Sequence, residues 1–166
     1  MTRDEVDAIF RRFGPMVFRR ARTLLRNEEE GRDVMQEVFI KAMAEPSRFE
    51  DPADAGRWLY RVTTNTCLNI LRDTHRRAEL RNEHLAPSLA VQASRTEGAL
   101  SLDQLAARRL LAEADAACSQ AAVLVHVDGM SYDEASAVLG VSKRTISNLL
   151  LRFRTFATKR LGESWT

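Results

Sequence analysis

Cysteine is scarce in this chain: Cys67 and Cys118 are the only two in 166 residues. So few, placed so far apart, exclude a disulfide framework and a CxxC metal knuckle and point to a reducing compartment. Glycine and proline are scarce too, at seven and four. Sandwiches and barrels need more turn residues than that, so helices are the expectation. No run of about 18 apolar residues occurs, which argues against membrane insertion. The charged start Met1-Thr2-Arg3-Asp4-Glu5 leads into no signal-peptide core. A cytoplasmic protein is expected. The three histidines, His75, His84 and His126, are scattered, and no GxSxG, Walker or HExxH pattern is present. No catalytic residue, metal site or cofactor is therefore expected, and the chain does not read as an enzyme.

Excess charge of one sign is also missing overall. Twenty-five Lys and Arg against 23 Asp and Glu leave +2, which excludes a uniformly polycationic binder and confines any nucleic-acid surface to local segments. Such segments exist. Residues 27–54 hold nine acidic residues against three basic ones, residues 55–82 hold six Arg against Asp73 and Glu79, and residues 135–162 hold six basic residues and no acid. Cations concentrated on single segments suit a phosphate-contacting surface, and equally a solvated helix face.

Apolar spacing predicts helix almost throughout. Val6, Ile9, Phe10, Phe13 and Val17 begin a first helix, with Pro15 expected to kink it or divide it at Gly14. A second fits Glu28–Ala44, with acids in the first turn and Val34, Met35, Val38, Phe39 and Ala42 as its stripe. Pro46 to Gly56 reads as a loop. The third helix places Leu59, Val62, Thr63, Thr66, Cys67, Ile70 and Leu71 on one face and Arg61, Asn65, Asn69, Arg72 and Arg76 on the other. Trp58 and Tyr60 suit a buried helix start or a stacking platform. Periodicity fades over 82–101, which reads as a flexible linker, and two Ala- and Leu-rich helices follow at Leu102–Leu111 and Ala117–Val127. The expected fold is all-α: two small helical domains, 1–82 and 101–166, joined by residues 83–100.

Tyr132 to Leu151 fits a helix-turn-helix. Ala135, Leu139, Val141, Ile146 and Leu149 supply its buried side, Ser136 is small where the helices approach, Gly140 permits the left-handed turn and Ser142 caps the second helix. Lys143, Arg144, Ser147, Asn148 and Arg152 point outward with side chains able to bond bases or phosphates.

Three stretches together resemble the extracytoplasmic-function (ECF, group IV) branch of the bacterial sigma-70 family of RNA polymerase sigma factors. Asp33-Val34-Met35-Gln36-Glu37-Val38-Phe39-Ile40-Lys41-Ala42 is similar to the family's polymerase-docking pattern DxxQEVFxKA. The run from Trp58 to Arg72 is similar to its promoter −10 helix, and Gly129 to Ala135 with Gly140-Val141-Ser142 is similar to its −35 domain. The resemblance implies an initiation factor that docks on core RNA polymerase through Asp33, Gln36, Glu37, Phe39 and Lys41, with Phe39 as the apolar anchor. It implies promoter DNA contacts at the −10 element by Trp58, Arg61, Asn65, Asn69, Arg72, Arg76 and Arg77, with Asn65 reading a flipped base against a wall formed by Arg48 to Gly56. It further implies −35 contacts by Ser142, Lys143, Arg144, Thr145, Ser147, Asn148 and Arg152, and restraint by an anti-sigma factor.

The sequence departs from the family pattern in places. Ala114-Asp115 stands where Leu-Pro is usual, and Ser119 and Val125 replace arginines common in the next helix. Arg144 occupies a usual Gly slot, and Ser147-Asn148 shifts readout from Arg contacts with G toward Asn contacts with A. Leu150 and Leu151 add apolar surface suited to a protein partner such as an anti-sigma factor. Two other readings fit parts of the chain: a stand-alone helix-turn-helix regulator, and a helical adaptor that binds protein alone.

Overall fold

The computed structural model describes residues 3–49, 51–84 and 100–164, and among them there is no strand. Helix α1 spans Arg3–Leu25 and runs unbroken through Pro15, so the expected division at Gly14 does not occur. Helix α2 spans Glu28–Ala44. Asn27 caps it by accepting from the Glu30 amide at 3.1 Å, and Glu28, Glu29 and Glu30 face the positive end of its dipole. The two helices cross closely at Gly31, where an added Cβ would stand 3.4 Å from the Arg22 amide nitrogen. Any larger residue there pushes against rigid backbone.

Pro46–Phe49 forms a 3₁₀ turn, and helix α3 starts at Pro52. This corrects the loop expected up to Gly56, because proline is well placed in a first helical turn and the Asp51 side chain accepts from the Ala53 amide at 2.9 Å. At 33 residues, α3 (Pro52–His84) is about 50 Å long. It also continues to His84, into the stretch read as linker; residues 85–99 of that stretch lie outside the described residues.

Helix α4 (Leu102–Glu113) opens on a capping box between Ser101 and Gln104. Asp115 caps α5 (Ala116–Ala122) by accepting from the Ala117 and Cys118 amides, and the Cys118 amide bond in particular lowers its pKa. The chain then widens into a π-helical turn, Val123–Val127, whose bonds run from Asp128 N–H to the Val123 carbonyl and from Met130 N–H to the Leu124 carbonyl, both 3.0 Å. A second capping box, Ser131 with Glu134, starts α6 (Tyr132–Leu139). Gly140 ends it at φ +68°, and Ser142 accepts from the Thr145 amide at 3.1 Å to begin α7 (Lys143–Ser164). The left-handed turn and both caps fall on the residues expected.

Helix α3 is the axis of the molecule. Helices α1 and α2 pack on one side of it, and α4, α5 and α6 on the other. Leu59, Thr63, Cys67 and Leu71 are buried as their spacing predicts, but so are Thr64 and Leu68, which a one-sided stripe leaves exposed. The two hydrophobic cores meet across it. Val123, from the π-helical turn, is fully buried within the core of α1 to α3, and Leu111 touches both cores.

Polar contacts span the same seam. Arg108 donates to the Leu25 carbonyl at 3.0 Å. The Glu113 carboxylate, half-buried, is held by Arg160 at 2.5 Å and Arg109 at 2.8 Å, and His75 of α3 lies 3.0 Å away. The hydrogen bond from Arg160, followed by that from Arg109, lowers the Glu113 pKa to about 2 from the ordinary 4.5, against the opposing effect of desolvation. A depressed carboxylate stabilises the fold in full above its unfolded pKa and loses that contribution as pH falls toward its folded value. Glu113→Gln is therefore expected to destabilise the chain at pH 7 by about 1–3 kcal/mol. Its urea midpoint should then converge on the wild-type value between pH 4.5 and 2; a constant difference across that range would contradict the assignment.

Candidate nucleic-acid and polymerase interfaces

The first candidate surface lies on α2. Asp33, Gln36 and Glu37 are exposed on it, and Lys41 is exposed with its Nζ 2.5 Å from Glu37 and 3.5 Å from Thr66 Oγ1. Phe39 is not on this surface. At 6% exposed it belongs to the core, its ring 4.9 Å from that of Phe10, which corrects the expectation of an apolar anchor there. The exposed apolar residues of this helix are Ile40, at 63%, and Met43. Ile40 follows Asp33, Gln36 and Glu37 by seven, four and three residues, so all four share one face. The signal was present in the sequence as an isoleucine out of step with the core stripe.

The second surface is the α3 stripe, and the fold divides it. Asn69, Arg76 and Arg77 are exposed, and Asn69 accepts from Arg72 at 3.0 Å. Arg61, Asn65 and Arg72 are half-buried. The Arg61 guanidinium reaches the Leu139 carbonyl at 3.5 Å, next to Gly140 in the turn between α6 and α7. Asn65 Oδ1 and Arg72 Nη2 are buried without hydrogen-bond partners. Trp58 is 7% exposed and packs edge-on against Phe49 at 6.1 Å, so it takes the core alternative rather than the exposed stacking one. Of the expected pocket wall, Gly56 lies within α3, and the Arg48 side chain and Glu50 lie outside the described residues.

The third surface is the outer face of α7. Ser142, Lys143, Arg144, Ser147, Asn148 and Arg152 are exposed there, with no acid in the first turn. Thr145 is half-buried, its hydroxyl 2.9 Å from that of Ser142, so these two hydroxyls also serve the cap. Lys143 pairs with Asp133 at 2.6 Å, but both groups are well exposed and the pair is easily exchanged for another anion. Leu150 is buried against Ile146 and Ala135 in the core, which removes it from the surface expected for it; Leu151 is exposed. Val141, expected inside, is partly exposed in the turn.

A buried charge at the centre of the molecule was not legible in advance. Arg20 of α1 is 6% exposed, with Nε and Nη2 donating to Thr64 Oγ1 at 3.3 and 3.2 Å and Nη1 paired with Asp128, just beyond the π-helical turn. Its guanidinium lies 4.4 Å from the Tyr60 ring centroid. Burial pushes the Tyr60 phenol up to about 12; Arg20 opposes the shift and the Asp128 carboxylate adds to it. Cys67 is likewise pushed up to about 12, chiefly by burial, which makes it an inert core thiol.

His75, Glu79 and Glu113 bring three ligand-type atoms within 4.8 Å of one another. Both Glu113 oxygens are already engaged by arginines, whose charges oppose a bound cation. Among the described residues no helix is long and apolar enough to cross a membrane.

Comparison with known proteins agrees with this arrangement. The Sigma-70 region 2 family matches residues 9–77. The ECF RNA polymerase sigma factor SigM of Mycobacterium tuberculosis is 30% identical over 156 residues, covering 94% of this chain and 76% of the relative. SigE of Mycolicibacterium smegmatis, of the same class, is also 30% identical over 156 residues, covering 89% of this chain and 58% of the relative. Two solved structures share the fold at 23% identity. One is CnrH in complex with the cytosolic domain of CnrY, with TM-score 0.51 and coverage of 98% of this chain and 90% of that one. The other is RpoE with the anti-sigma factor NepR from Bartonella quintana, with TM-score 0.50 and coverage of 96% and 95%. With likeness to SigM running through the α2, α3 and α7 surfaces alike, the chain belongs to the ECF RNA polymerase sigma factors of the sigma-70 family.

Proposed function

We propose that this sigma factor works through three faces. The outer face of α2 docks on bacterial core RNA polymerase, α3 captures and holds the opened −10 strand, and α7 reads the −35 duplex. Residues 1–82 and 101–166 form the two working units, joined by 83–100, and the protein acts in the cytoplasm. An anti-sigma factor restrains it, with exposed Leu151 offering that partner apolar surface. The observation that carries the reading is the relationship to SigM over 94% of the chain, since it spans both basic blocks and the acidic one.

No bond is made or broken in this role, so each face contributes binding energy alone. On α2, Asp33, Gln36 and Glu37 supply charge-assisted bonds around Ile40 and Met43, an arrangement suited to a basic partner surface with an apolar centre. On α3, the unpartnered Oδ1 of Asn65 is an acceptor available to the exocyclic amine of a base pulled from the stack. Arg61, Asn69, Arg72, Arg76 and Arg77 follow the backbone, and capture of the base offsets the cost of melting. On α7, the helix N-terminus, Lys143 and Arg144 attract phosphate, while Ser147 and Asn148 face base edges.

The deciding measurement is run-off transcription with purified chain and core polymerase on genomic DNA. Promoter-specific transcripts are expected; binding of duplex DNA without any effect on polymerase would favour the stand-alone regulator instead. Asn65→Ala should weaken −10 recognition by about 1–3 kcal/mol, measured as permanganate reactivity of the melted strand, with core affinity unchanged. Unaltered melting would count against Asn65.

Arg152→Ala should weaken −35 binding for every sequence and lower the salt slope by about one, whereas a loss confined to one base would mean direct readout. For docking, Ile40→Ala should reduce core affinity while leaving the thermal midpoint in place. Phe39→Ala should instead destabilise the fold by about 3–5 kcal/mol. The opposite pattern in calorimetry and binding would restore Phe39 as the anchor.

A further inference from the structure

The α3 face assigned to the promoter strand is also the face on which the C-terminal helices rest. Arg61 donates to the Leu139 carbonyl beside the turn of the helix-turn-helix, and Asn65 Oδ1 and Arg72 Nη2 are buried. A guanidinium occupied by a carbonyl of α6 is not available to a phosphate, and a buried amide does not meet a base. We infer that the free chain is autoinhibited by its own C-terminal helices, and that the buried Arg20–Asp128 pair is the latch that holds them over α3. This inference rests on the −10 role proposed for α3.

The geometry singles out Arg20. It is the point where α1, α3 and the segment after the π-helical turn meet, and 108 residues of chain separate it from Asp128. Thr64 and the Tyr60 ring hold the guanidinium from α3 and leave one edge of the fork for Asp128. The C-terminal helices therefore supply the one carboxylate that completes a site otherwise built by α1 and α3. Their removal leaves a cation in a half-built pocket, so closure is favoured.

The closure is also reversible by design of its chemistry. A buried ion pair contributes little net stability relative to its hydrated, separated partners, because both ions regain water on opening. Asp128 Oδ2 is already without a hydrogen-bond partner in the closed form, which lowers the cost of opening further. An all-apolar seam of the same extent would resist opening; a seam centred on charge yields to a partner that competes for the same faces. Polymerase and promoter strand together offer that competition.

The test compares the full-length wild type with Asp128→Asn, without polymerase, by small-angle scattering and by binding to a single-stranded −10 oligonucleotide. A compact chain of this length has a radius of gyration of about 15 Å. Wild type should lie near that value. Asp128→Asn should be measurably larger and bind the oligonucleotide about tenfold more tightly, as expected when a minor competent state becomes the major one.

Unchanged dimensions in Asp128→Asn would overturn the latch, and expansion without a gain in DNA affinity would overturn the masking. Thr64→Val is the second variant, for use if loss of the carboxylate unfolds the chain. It strips two contacts from Arg20 without removing a charge, and it too should expand the chain; failure to do so would overturn the latch. The −10 reading fails separately, if wild type binds core polymerase yet Asn65→Ala melts promoter DNA as well as wild type does.

Discussion

A guanidinium taken out of water must be satisfied from several directions at once, and the whole arrangement of this molecule follows from doing so for Arg20. One helix supplies the cation, a second supplies a hydroxyl and an aromatic face, and a carboxylate arrives from 108 residues further along the chain. No two of these partners suffice. The site exists only when α1, α3 and the segment after α5 are together, which makes it a coincidence detector for the closed fold rather than a contributor to either half alone.

Around that charge, α3 carries two jobs that pull in different directions. It is the structural axis, buried along one side by α1 and α2 and along the other by the C-terminal helices, and it carries the stripe of cations and amides assigned to promoter DNA. A helix buried on two sides has little surface left for a ligand. The exposed remainder, Asn69, Arg76 and Arg77, lies toward its C-terminal half, while the residues nearer the helix start are under cover. Polymerase docking on α2 is spared this conflict, because its outer face touches nothing else in the chain's own seam.

Local chemistry was largely legible in the sequence. Asn27, Ser101, Ser131 and Ser142 cap the helices that follow them, and Gly140 takes the one positive φ that the helix-turn-helix requires. Spacing located each stripe but not its neighbour, so Phe39 and Ile40, adjacent in sequence, exchanged the roles expected of them. Thr64, Leu68 and Leu150 were misplaced for the same reason: periodicity reports which residues share a face, whereas burial depends on how many faces are covered. Arg20 gave no signal at all, since one arginine among several on α1 looks like any solvated cation until its distant carboxylate is known.

The π-helical turn at Val123–Val127 fits one more residue into a turn than an α-helix holds, and that extra residue sets the phase of everything after it. Removing one residue there restores ordinary winding and rotates the following segment by about 100°, carrying Asp128 away from Arg20 and swinging the α6–α7 pair around its entry point. Length in this segment is thus under tighter constraint than composition. Valine for isoleucine alters a contact; a single codon lost alters where the second DNA-facing helix points.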